Sequence, residues 1–394
     1  MRRTLTMAVI VILTAAASVP ILRWMPLPFA WIGLMWGVAA FAAIPRLAVG
    51  MRTLLSTLGA VAIALAAAEV WFAYSLPREI DRQWSPPLFH VDPVLGWAPM
   101  PSQVVHAKAT VDGQMLYDVR YSIDAMGHRV TALVQSGTVR GCVYFFADSF
   151  TFGLGVDDSE SLPYQAGALT QGRYRIINFG VPGYGAEHML ANLERGELSK
   201  SAPCEPTHII YLALPNHILR AAGKTSFSET GPRYRLRADG TPVYVGTPAA
   251  SASSAQAPAA RSWWLREVVY QSTKSQILRA FAGRQATSTG ADVELYFAIV
   301  SKAYRIAADR WPSAQRHVIS WNTPDQFVGQ DRFHLGLAAA DVQIHAIDAV
   351  IPGYSQNPVE HSLHRLDPHP NAQTYRRVAQ YLAERVLIDK PTLP

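Results

Sequence analysis

The stretch CVYFFADSFTFG, residues 142–153, is the strongest indication of the fold of this 394-residue chain. Residues 142–147 form a short apolar run rich in aromatic side chains, and Asp148 and Ser149 follow it at once. Such a run is typical of a strand that is buried on both faces in a parallel sheet. Because open α/β sheets place their sites at the carboxyl ends of strands, Ser149 is a candidate functional residue. The Asp-Ser pair alone is a weak signal, because turns and helix N-caps use the same residues.

The alternation of strand and helix continues beyond this stretch. Apolar strand-like runs occur at 143–147, 174–180, 208–214, 317–321 and 342–348, and helical patterns occur at 162–169, 187–199, 293–311 and 372–386. Strands and helices in alternation predict an α/β domain with a parallel sheet flanked by helices.

Two regions depart from this alternation. Residues 77–140 contain alternating apolar and polar residues around Asp112-Gly113, which predict a hairpin within a β-rich lead-in. Residues 224–290 form an insertion with a second predicted hairpin at 233–246 and a low-complexity run, TPAASASSAQAPAA, whose small side chains cannot build a core. The expected domains are thus a membrane anchor at 1–76, the lead-in at 77–140 and the α/β domain at 141–394 with its insertion.

The first 76 residues have the composition of a membrane anchor. Their only formally charged side chains are Arg2, Arg3, Arg23, Arg46, Arg52 and Glu69. The apolar runs at 4–22, 27–44 and 53–76 are each about long enough to span a bilayer, so we expect three transmembrane helices. The first run is alternatively a signal peptide, although no small-residue cleavage site precedes Arg23. The distribution of arginines predicts a cytoplasmic N-terminus in the bacterial inner membrane, with the C-terminal domain in the periplasm.

The exterior part of the chain is nearly neutral. The whole chain has 35 basic and 29 acidic residues, and without the five arginines and one glutamate of the anchor it keeps 30 and 28, a net charge of +2. This charge gives no indication of a nucleic-acid partner. The two cysteines, Cys142 and Cys204, each precede a predicted strand, and neighbouring parallel strands would bring them together, so we expect a disulfide in the oxidising periplasm.

Three more segments place polar residues or glycine at the ends of predicted strands: NFGVPGYG (178–185), LALPNH (212–217) and DPHPN (367–371). A serine hydroxyl needs a base to take its proton, and the tetrahedral intermediate of acyl transfer needs hydrogen-bond donors for its oxyanion. His369 with Asp367 two residues earlier suits the base and its orienting carboxylate. Gly180 can offer a backbone N–H and Asn216 a side-chain amide. A capping histidine, or a metal cluster of His361, His364, Asp367 and His369, is the alternative.

Taken in order along the chain, the four segments resemble the blocks of the SGNH/GDSL hydrolase superfamily. The resemblance implies a flavodoxin-like domain over residues 142–386 with Ser149 as nucleophile, His369 as base and Asp367 as its carboxylate. It also implies an oxyanion hole formed by the Ser149 N–H, Gly180 and Asn216, and it implies no metal and no cofactor. The lead-in segments GWAPMPS (96–102) and YSIDAMGHR (121–129) are similar to those that precede this domain in membrane-anchored bacterial members.

The chain departs from the superfamily pattern at two positions. Ala147 stands where the first block usually has glycine, and His217 stands where the third block usually has aspartate. If that glycine has a positive φ angle, Ala147 would strain the turn before the nucleophile.

The sequence leaves three functions open. The first is a serine esterase that removes acyl groups, acetyl being the expected one, from an extracytoplasmic carbohydrate. The second is an O-acyltransferase that acts with a separate membrane acyl donor or polysaccharide-export partner. The third is a catalytically inactive SGNH domain that binds glycan or serves as a scaffold. Expected partners are therefore an O-acylated carbohydrate and inner-membrane lipid.

Overall fold

A computed structural model describes most of the chain and divides it into two compact units. The first unit comprises residues 1–78 and 257–285, and the second comprises 79–256 and 286–394. The described residues are 28–44, 49–75, 80–134, 139–196, 204–247, 275–278, 287–321 and 330–388, together with a few positions within 11–27 and 198–202.

The first unit contains two apolar helices, α1 (Pro28–Ala43) and α2 (Val49–Ser75). Within α2, Met51–Ser75 is long and apolar enough to cross a membrane, and it is the only such helix among the described residues. The 16 residues of α1 give a helix of about 24 Å, short of a hydrocarbon core of about 30 Å. The predicted span at 4–22 lies largely outside the described residues. The structure thus supports one of the three predicted transmembrane spans, the one in α2.

Glu69 in α2 bonds to a part of the predicted insertion. The side chain is buried, and its Oε2 atom accepts a 2.6 Å hydrogen bond from the backbone N–H of Gln276. Its other oxygen accepts a hydrogen bond from the Ser275 hydroxyl. Residues 276–278 form a helical turn, whose first N–H groups need acceptors of this kind. This part of the insertion therefore belongs to the same unit as α2.

The second unit is built on strands and helices that match the predicted alternation. Its described strands are β1 (Asp81–Ser85), β2 (Phe89–Asp92), β3 (Gly96–Pro99), β4 (Gln103–Val111), β5 (Gln114–Ile123), β6 (Cys142–Phe146), β7 (Arg175–Asn178), β8 (Pro206–Ala213), β9 (Arg233–Leu236), β10 (Pro242–Gly246), β11 (Gln315–Ser320), β12 (Gln343–Ala346), β13 (Ser362–His364) and β14 (Asp367–Pro370). Its described helices are α3 (Ser149–Phe152), α4 (Leu162–Leu169), α5 (Ala186–Arg195), α6 (Asn216–Ala221), α7 (Gly290–Arg310), α8 (Gln330–Ala338), α9 (Ile347–Val350) and α10 (Ala372–Arg385).

Five parallel strands form the central sheet in the order β7-β6-β8-β11-β12. In chain order this is 2-1-3-4-5, the flavodoxin-like arrangement. All five residues of β6 are buried, as its apolar run predicts. Helix α7 packs with α5 and α6, whereas α10 packs with α4, which gives two helical groups. The strand order reverses between β6 and β8, so the loops after these two strands open the crevice where ligands bind in such sheets.

The lead-in forms its own antiparallel sheet, in the order β1-β4-β5. Strands β4 and β5 are joined at Asp112-Gly113, where both residues have positive φ angles, as a tight hairpin turn requires. The buried face of this sheet packs on Phe152 and Leu154, which follow Ser149 in the chain. Strands β9 and β10 form the second hairpin predicted within 233–246.

Arg129, at the end of the lead-in, fixes the loop after the nucleophile segment. Its side chain is fully buried, and its guanidinium donates to the carbonyl oxygens of Phe152, Gly153 and Val156 at 2.9, 2.5 and 2.7 Å. Asp158 accepts from its Nε at 3.0 Å and balances its charge. The lead-in is therefore an integral part of the second unit.

The disulfide between Cys142 and Cys204 is present, with a Cα–Cα distance of 5.7 Å. Cys142 begins β6, and Cys204 lies two residues before β8. Because β6 and β8 are neighbouring parallel strands, their first residues lie side by side, which confirms the prediction.

Candidate active site

The predicted catalytic residues meet at the carboxyl end of the sheet. Ser149 Oγ lies 2.8 Å from His369 Nε2, and His369 Nδ1 lies 2.5 Å from Asp367 Oδ1. Ser149 and His369 are 220 positions apart in the sequence, so only the fold brings them together. A serine, an imidazole and a carboxylate in this order form a charge-assisted chain that can activate the hydroxyl.

Local structure explains how the segments that carry Ser149 and His369 are held in place. Asp148 is the N-cap of α3 and accepts a 2.9 Å hydrogen bond from the N–H of Phe150, so Ser149 occupies the first helical position. Asn371 caps α10 by accepting from the N–H of Thr374 at 2.9 Å, and thereby fixes the segment that carries His369. Both cap residues belong to the quoted motifs.

Asp367 is fully buried and has a second partner that sequence analysis missed. Its Oδ2 atom lies 2.8 Å from Nη2 of Arg82, which belongs to β1 of the lead-in. Burial raises the pKa of Asp367, but the hydrogen bond from His369 and the charges of His369 and Arg82 outweigh it and lower the pKa to about 2. Asp367 is therefore ionised at neutral pH. No pattern around Arg82 in the sequence distinguishes it from an ordinary strand arginine.

A cavity of about 550 Å³ opens over Ser149 and His369. Five aromatic side chains line it: Trp84, Phe89 and Trp97 from the lead-in, Phe150 next to the nucleophile, and Phe227 after α6. Asn216 also lines the cavity, half-buried at the start of α6, where sequence analysis expects an oxyanion donor. The cavity is large enough for a sugar unit as well as an acyl group.

Gly180 lies at a different place from the one its predicted role requires. Its N–H donates to Asn178 Oδ1 at 2.9 Å, and it is not among the residues that line the cavity. A Cβ at this position would lie 2.5 Å from the Cβ of Thr151 and 2.6 Å from the backbone nitrogen of Phe152. Gly180 is thus required for close packing of α3 against the end of β7, and this placement contradicts its predicted oxyanion role.

Gly183, three residues later in the same motif, does line the cavity. Its φ angle is +90°, and a Cβ there would lie 2.5 Å from Phe227 and 2.8 Å from Trp97. Within the described chain no acceptor partners its N–H. The motif contains several glycines, and no feature of its sequence distinguishes Gly183 from Gly180.

Ala147 has a φ angle of +146°, in the region that favours glycine. The positive φ angle means that Ala147 is strained immediately before the nucleophile, as expected if this position requires glycine. Such a conformation costs on the order of 1–3 kcal/mol and persists only when surrounding packing enforces it. Here Ala147 is buried, and its carbonyl accepts a hydrogen bond from the N–H of Val181, which holds the turn in place.

His217 lies beneath the nucleophile and does not line the cavity. Its Nδ1 atom bonds to the hydroxyl of Tyr211 at 2.6 Å, and its Nε2 atom lies 3.2 Å from Asp148 Oδ2. Burial lowers the pKa of His217, so the ring is neutral at pH 7. The same Asp148 oxygen accepts a 2.8 Å hydrogen bond from Arg220 Nη1. The unusual histidine thus belongs to a buried polar cluster that holds Asp148.

The alternative metal cluster is not assembled. Asp367 and His369 bond to each other, whereas His361 stacks on Tyr354 with the ring centroids 5.0 Å apart. Among the described residues, no group of three or more His, Cys, Asp or Glu side chains has the arrangement of a metal site.

Comparison with known proteins finds only distant structural similarity. No protein-family model matches the chain, and no curated protein matches it. One similar solved structure is a protein described as lipolytic and of the G-D-S-L family from Desulfitobacterium hafniense DCB-2, with 13% identity, a TM-score of 0.32, and coverage of 62% of this chain and 99% of that one. The acetyl xylan esterase Est2A from the rumen bacterium Butyrivibrio proteoclasticus has 11% identity, a TM-score of 0.35, and coverage of 78% and 82%.

A third similar structure is a carbohydrate esterase family 2 enzyme with a carbohydrate-binding domain from Corynascus thermopiles (Myceliophthora fergusii). It has 11% identity, a TM-score of 0.34, and coverage of 78% of this chain and 85% of that one. The sequence resemblance to the SGNH/GDSL hydrolase superfamily implies a flavodoxin-like strand order and mutual contacts of Ser149, His369 and Asp367. Both are present in this structure.

Proposed function

We propose that this protein is a membrane-anchored serine esterase of the SGNH type that removes acyl groups from a carbohydrate outside the cytoplasm. The observation that carries the proposal is the hydrogen-bonded chain from Ser149 through His369 to Asp367 at the floor of an open cavity. A buried, ionised carboxylate behind the imidazole is what a general base needs in order to accept a proton and stay oriented.

In the proposed mechanism, Ser149 Oγ attacks the ester carbonyl carbon while His369 Nε2 takes the hydroxyl proton. The oxyanion accepts hydrogen bonds from the N–H groups of Ser149 and Gly183 and from the side-chain amide of Asn216. His369 then gives its proton to the sugar oxygen as the bond from this oxygen to the carbonyl carbon breaks, which releases the sugar hydroxyl and leaves an acyl group on Ser149. Water, deprotonated by His369, attacks this acyl-enzyme, and His369 returns the proton to Ser149 Oγ as the bond to the acyl group breaks and the carboxylic acid leaves.

The walls of the cavity support a carbohydrate substrate. Trp84, Phe89, Trp97 and Phe227 offer flat apolar faces on which the C–H groups of a pyranose ring can pack. Phe227 is 49% exposed and lies at the rim, where a sugar that extends from the cavity would contact it. The helix Met51–Ser75 supports anchoring in the membrane. The distribution of arginines in the sequence is the ground for placing the second unit on the periplasmic side.

An O-acyltransferase is the second candidate. The membrane helix favours it, because an acyl group activated in the cytoplasm must cross the membrane to reach Ser149. This activity would need a separate membrane partner as acyl donor, and a sugar hydroxyl would replace water as the acceptor.

One experiment tests these proposals together. The full-length protein in detergent micelles is incubated with a chromogenic acetyl ester, with and without an acceptor glycan. Release of the chromophore that Ser149→Ala abolishes would support acyl-enzyme chemistry and exclude a purely binding role. Formation of acetylated glycan would favour the transferase, whereas equal activity of wild type and Ser149→Ala would refute the proposed function.

A further inference from the structure

The carboxylate of Asp367 is held at both oxygens. Oδ1 accepts from His369 Nδ1 at 2.5 Å and from the backbone N–H of His369 at 3.3 Å. Oδ2 accepts from Arg82 Nη2 at 2.8 Å. Rotation of an aspartate carboxylate about its Cβ–Cγ bond is normally broad. A bond to each oxygen removes that freedom, so the orientation of Asp367 depends on Arg82 as well as on His369.

We propose that Arg82 is a positioning residue of the active site, which fixes the Asp367 carboxylate so that His369 Nδ1–H points to it and Nε2 points to Ser149. The inference rests on the proposed function and deepens it. Arg82 contributes no atom to the acyl transfer itself, and it acts through Asp367. Arg82 also lines the cavity, but its guanidinium is bonded to Asp367, so its effect is expected on the activation of Ser149 more than on the binding of substrate.

The lead-in delivers Arg82 on a well-supported strand. The backbone of Arg82 pairs with Ala109 of β4, which is fully buried. Two residues further along β1, on the same face, Trp84 packs edge to face on Phe89 with the ring centroids 5.3 Å apart. The position of the guanidinium is thus set by a sheet that has its own core.

The positive charge of Arg82 gives its contact with Asp367 a second effect. Asp367 is fully buried, and a buried carboxylate without a positive partner tends to take up a proton. When His369 is neutral, before it accepts the proton from Ser149, Arg82 is the cation bonded to Asp367. Arg82 therefore keeps the carboxylate ionised until the imidazolium forms and needs its charge.

The test uses the full-length protein in detergent micelles and two readouts. The first is kcat and KM on the chromogenic ester, and the second is the rate at which a fluorophosphonate probe labels Ser149. Arg82→Gln should lower kcat and the labelling rate by about 10–100-fold, with KM within about twofold of wild type. Arg82→Lys keeps the charge but loses the planar guanidinium group, so its kcat and labelling rate should lie between those of wild type and Arg82→Gln. Arg120→Gln, an exposed arginine on β5 of the same sheet, is the matched control and should behave as wild type.

Chemical rescue separates positioning from folding. Added guanidinium should restore labelling of Arg82→Ala, and sodium chloride at equal ionic strength should not, because only guanidinium can bond to Asp367. Labelling is expressed per folded molecule, so partial unfolding of a variant does not affect the outcome.

Wild-type kcat in Arg82→Gln, with or without a raised KM, would overturn the inference, as would failure of guanidinium to restore Arg82→Ala. Absence of labelling in the wild-type protein would instead refute the proposed function, and the inference with it. Equal labelling of wild type and Arg82→Gln, with none in Ser149→Ala, would refute the inference alone.

Discussion

Breaking the buried ion pair beneath the nucleophile should destabilise the second unit strongly. Arg220 Nη1 lies 2.8 Å from Asp148 Oδ2, and the two side chains are only 8% and 1% exposed. Removing one partner leaves a buried charge without compensation, which typically costs about 3–5 kcal/mol. We expect a loss of this size in Asp148→Asn, which keeps an N-cap side chain, and in Arg220→Met. The double variant leaves no unpaired charge and should cost about as much as either single variant.

Urea unfolding of the full-length protein in micelles, followed by tryptophan fluorescence, measures these free energies. Asp341→Asn is the matched control, because the Arg316–Asp341 ion pair has similar geometry at 2.9 Å but Asp341 is 92% exposed. Such a surface pair contributes at most about 1 kcal/mol. If Asp148→Asn loses no more stability than this control, or if the losses of the two single variants simply add in the double variant, the two side chains are not coupled and the reasoning is wrong.

The pH dependence of stability gives an independent check on the same pair. Burial pushes the pKa of Asp148 up, but the charge of Arg220 and the contact with His217 outweigh it and hold the pKa below the ordinary value of 3.8. A carboxyl with a depressed folded-state pKa stabilises the fold above its unfolded pKa of about 3.9, and this contribution is lost as the pH falls toward the folded-state pKa. The wild-type protein should therefore lose more stability than Asp148→Asn as the pH falls below about 4. Parallel curves for the two proteins would contradict the assigned shift.

Three further predictions concern the mechanism, the disulfide and the topology. Ser149→Ala and His369→Ala should each nearly abolish turnover, and combining them should add little, because nucleophile and base act as one unit. Asn216→Ala should lower kcat by about 10²–10³-fold. Initial rates on the chromogenic ester test both statements, and multiplicative losses in the Ser149/His369 double variant would contradict the first. Replacing Cys142 and Cys204 by alanine should cost about 2–5 kcal/mol, since the bond closes a loop with a sequence separation of 62, and unchanged urea unfolding would disprove it. A reporter fused to the C-terminus should be active only in the periplasm, and activity in the cytoplasm would reverse the predicted orientation.

The architecture of the second unit was largely predictable from the sequence. The buried strand that ends at Ser149, the alternation that continues to α10 and the hairpin at Asp112-Gly113 all follow from local patterns. These patterns are readable because a buried parallel strand needs a continuous apolar run and a tight hairpin turn needs residues that tolerate positive φ angles. The membrane anchor was less predictable, since apolar composition alone does not determine how many residues of a run become helical, and α1 is shorter than its apolar run.

The candidate site was only partly predictable. Ser149, His369 and Asp367 could be assigned because their motifs are short and place each residue at the end of a strand. The sequence assigned Gly180 as an oxyanion donor, whereas in the structure the Gly180 N–H is bonded to Asn178 and Gly183 lines the cavity. The path of the loop after a strand is set by packing against neighbouring loops, so it cannot be derived from the spacing of residues in the sequence.

The fold class, the disulfide and the choice of Ser149, His369 and Asp367 as candidate residues were thus accessible from the sequence, because each depends on local pattern or on the ends of neighbouring parallel strands. Three features are visible only in the folded protein: Arg82 bonds to Asp367, the lead-in supplies aromatic side chains to the cavity, and His217 is buried next to Asp148. These contacts join residues that are distant in sequence. Arg82 and Asp367 are 285 positions apart, and such a pair carries no periodic signal: it exists because two separately formed sheets pack together and leave a buried carboxylate that needs a positive partner.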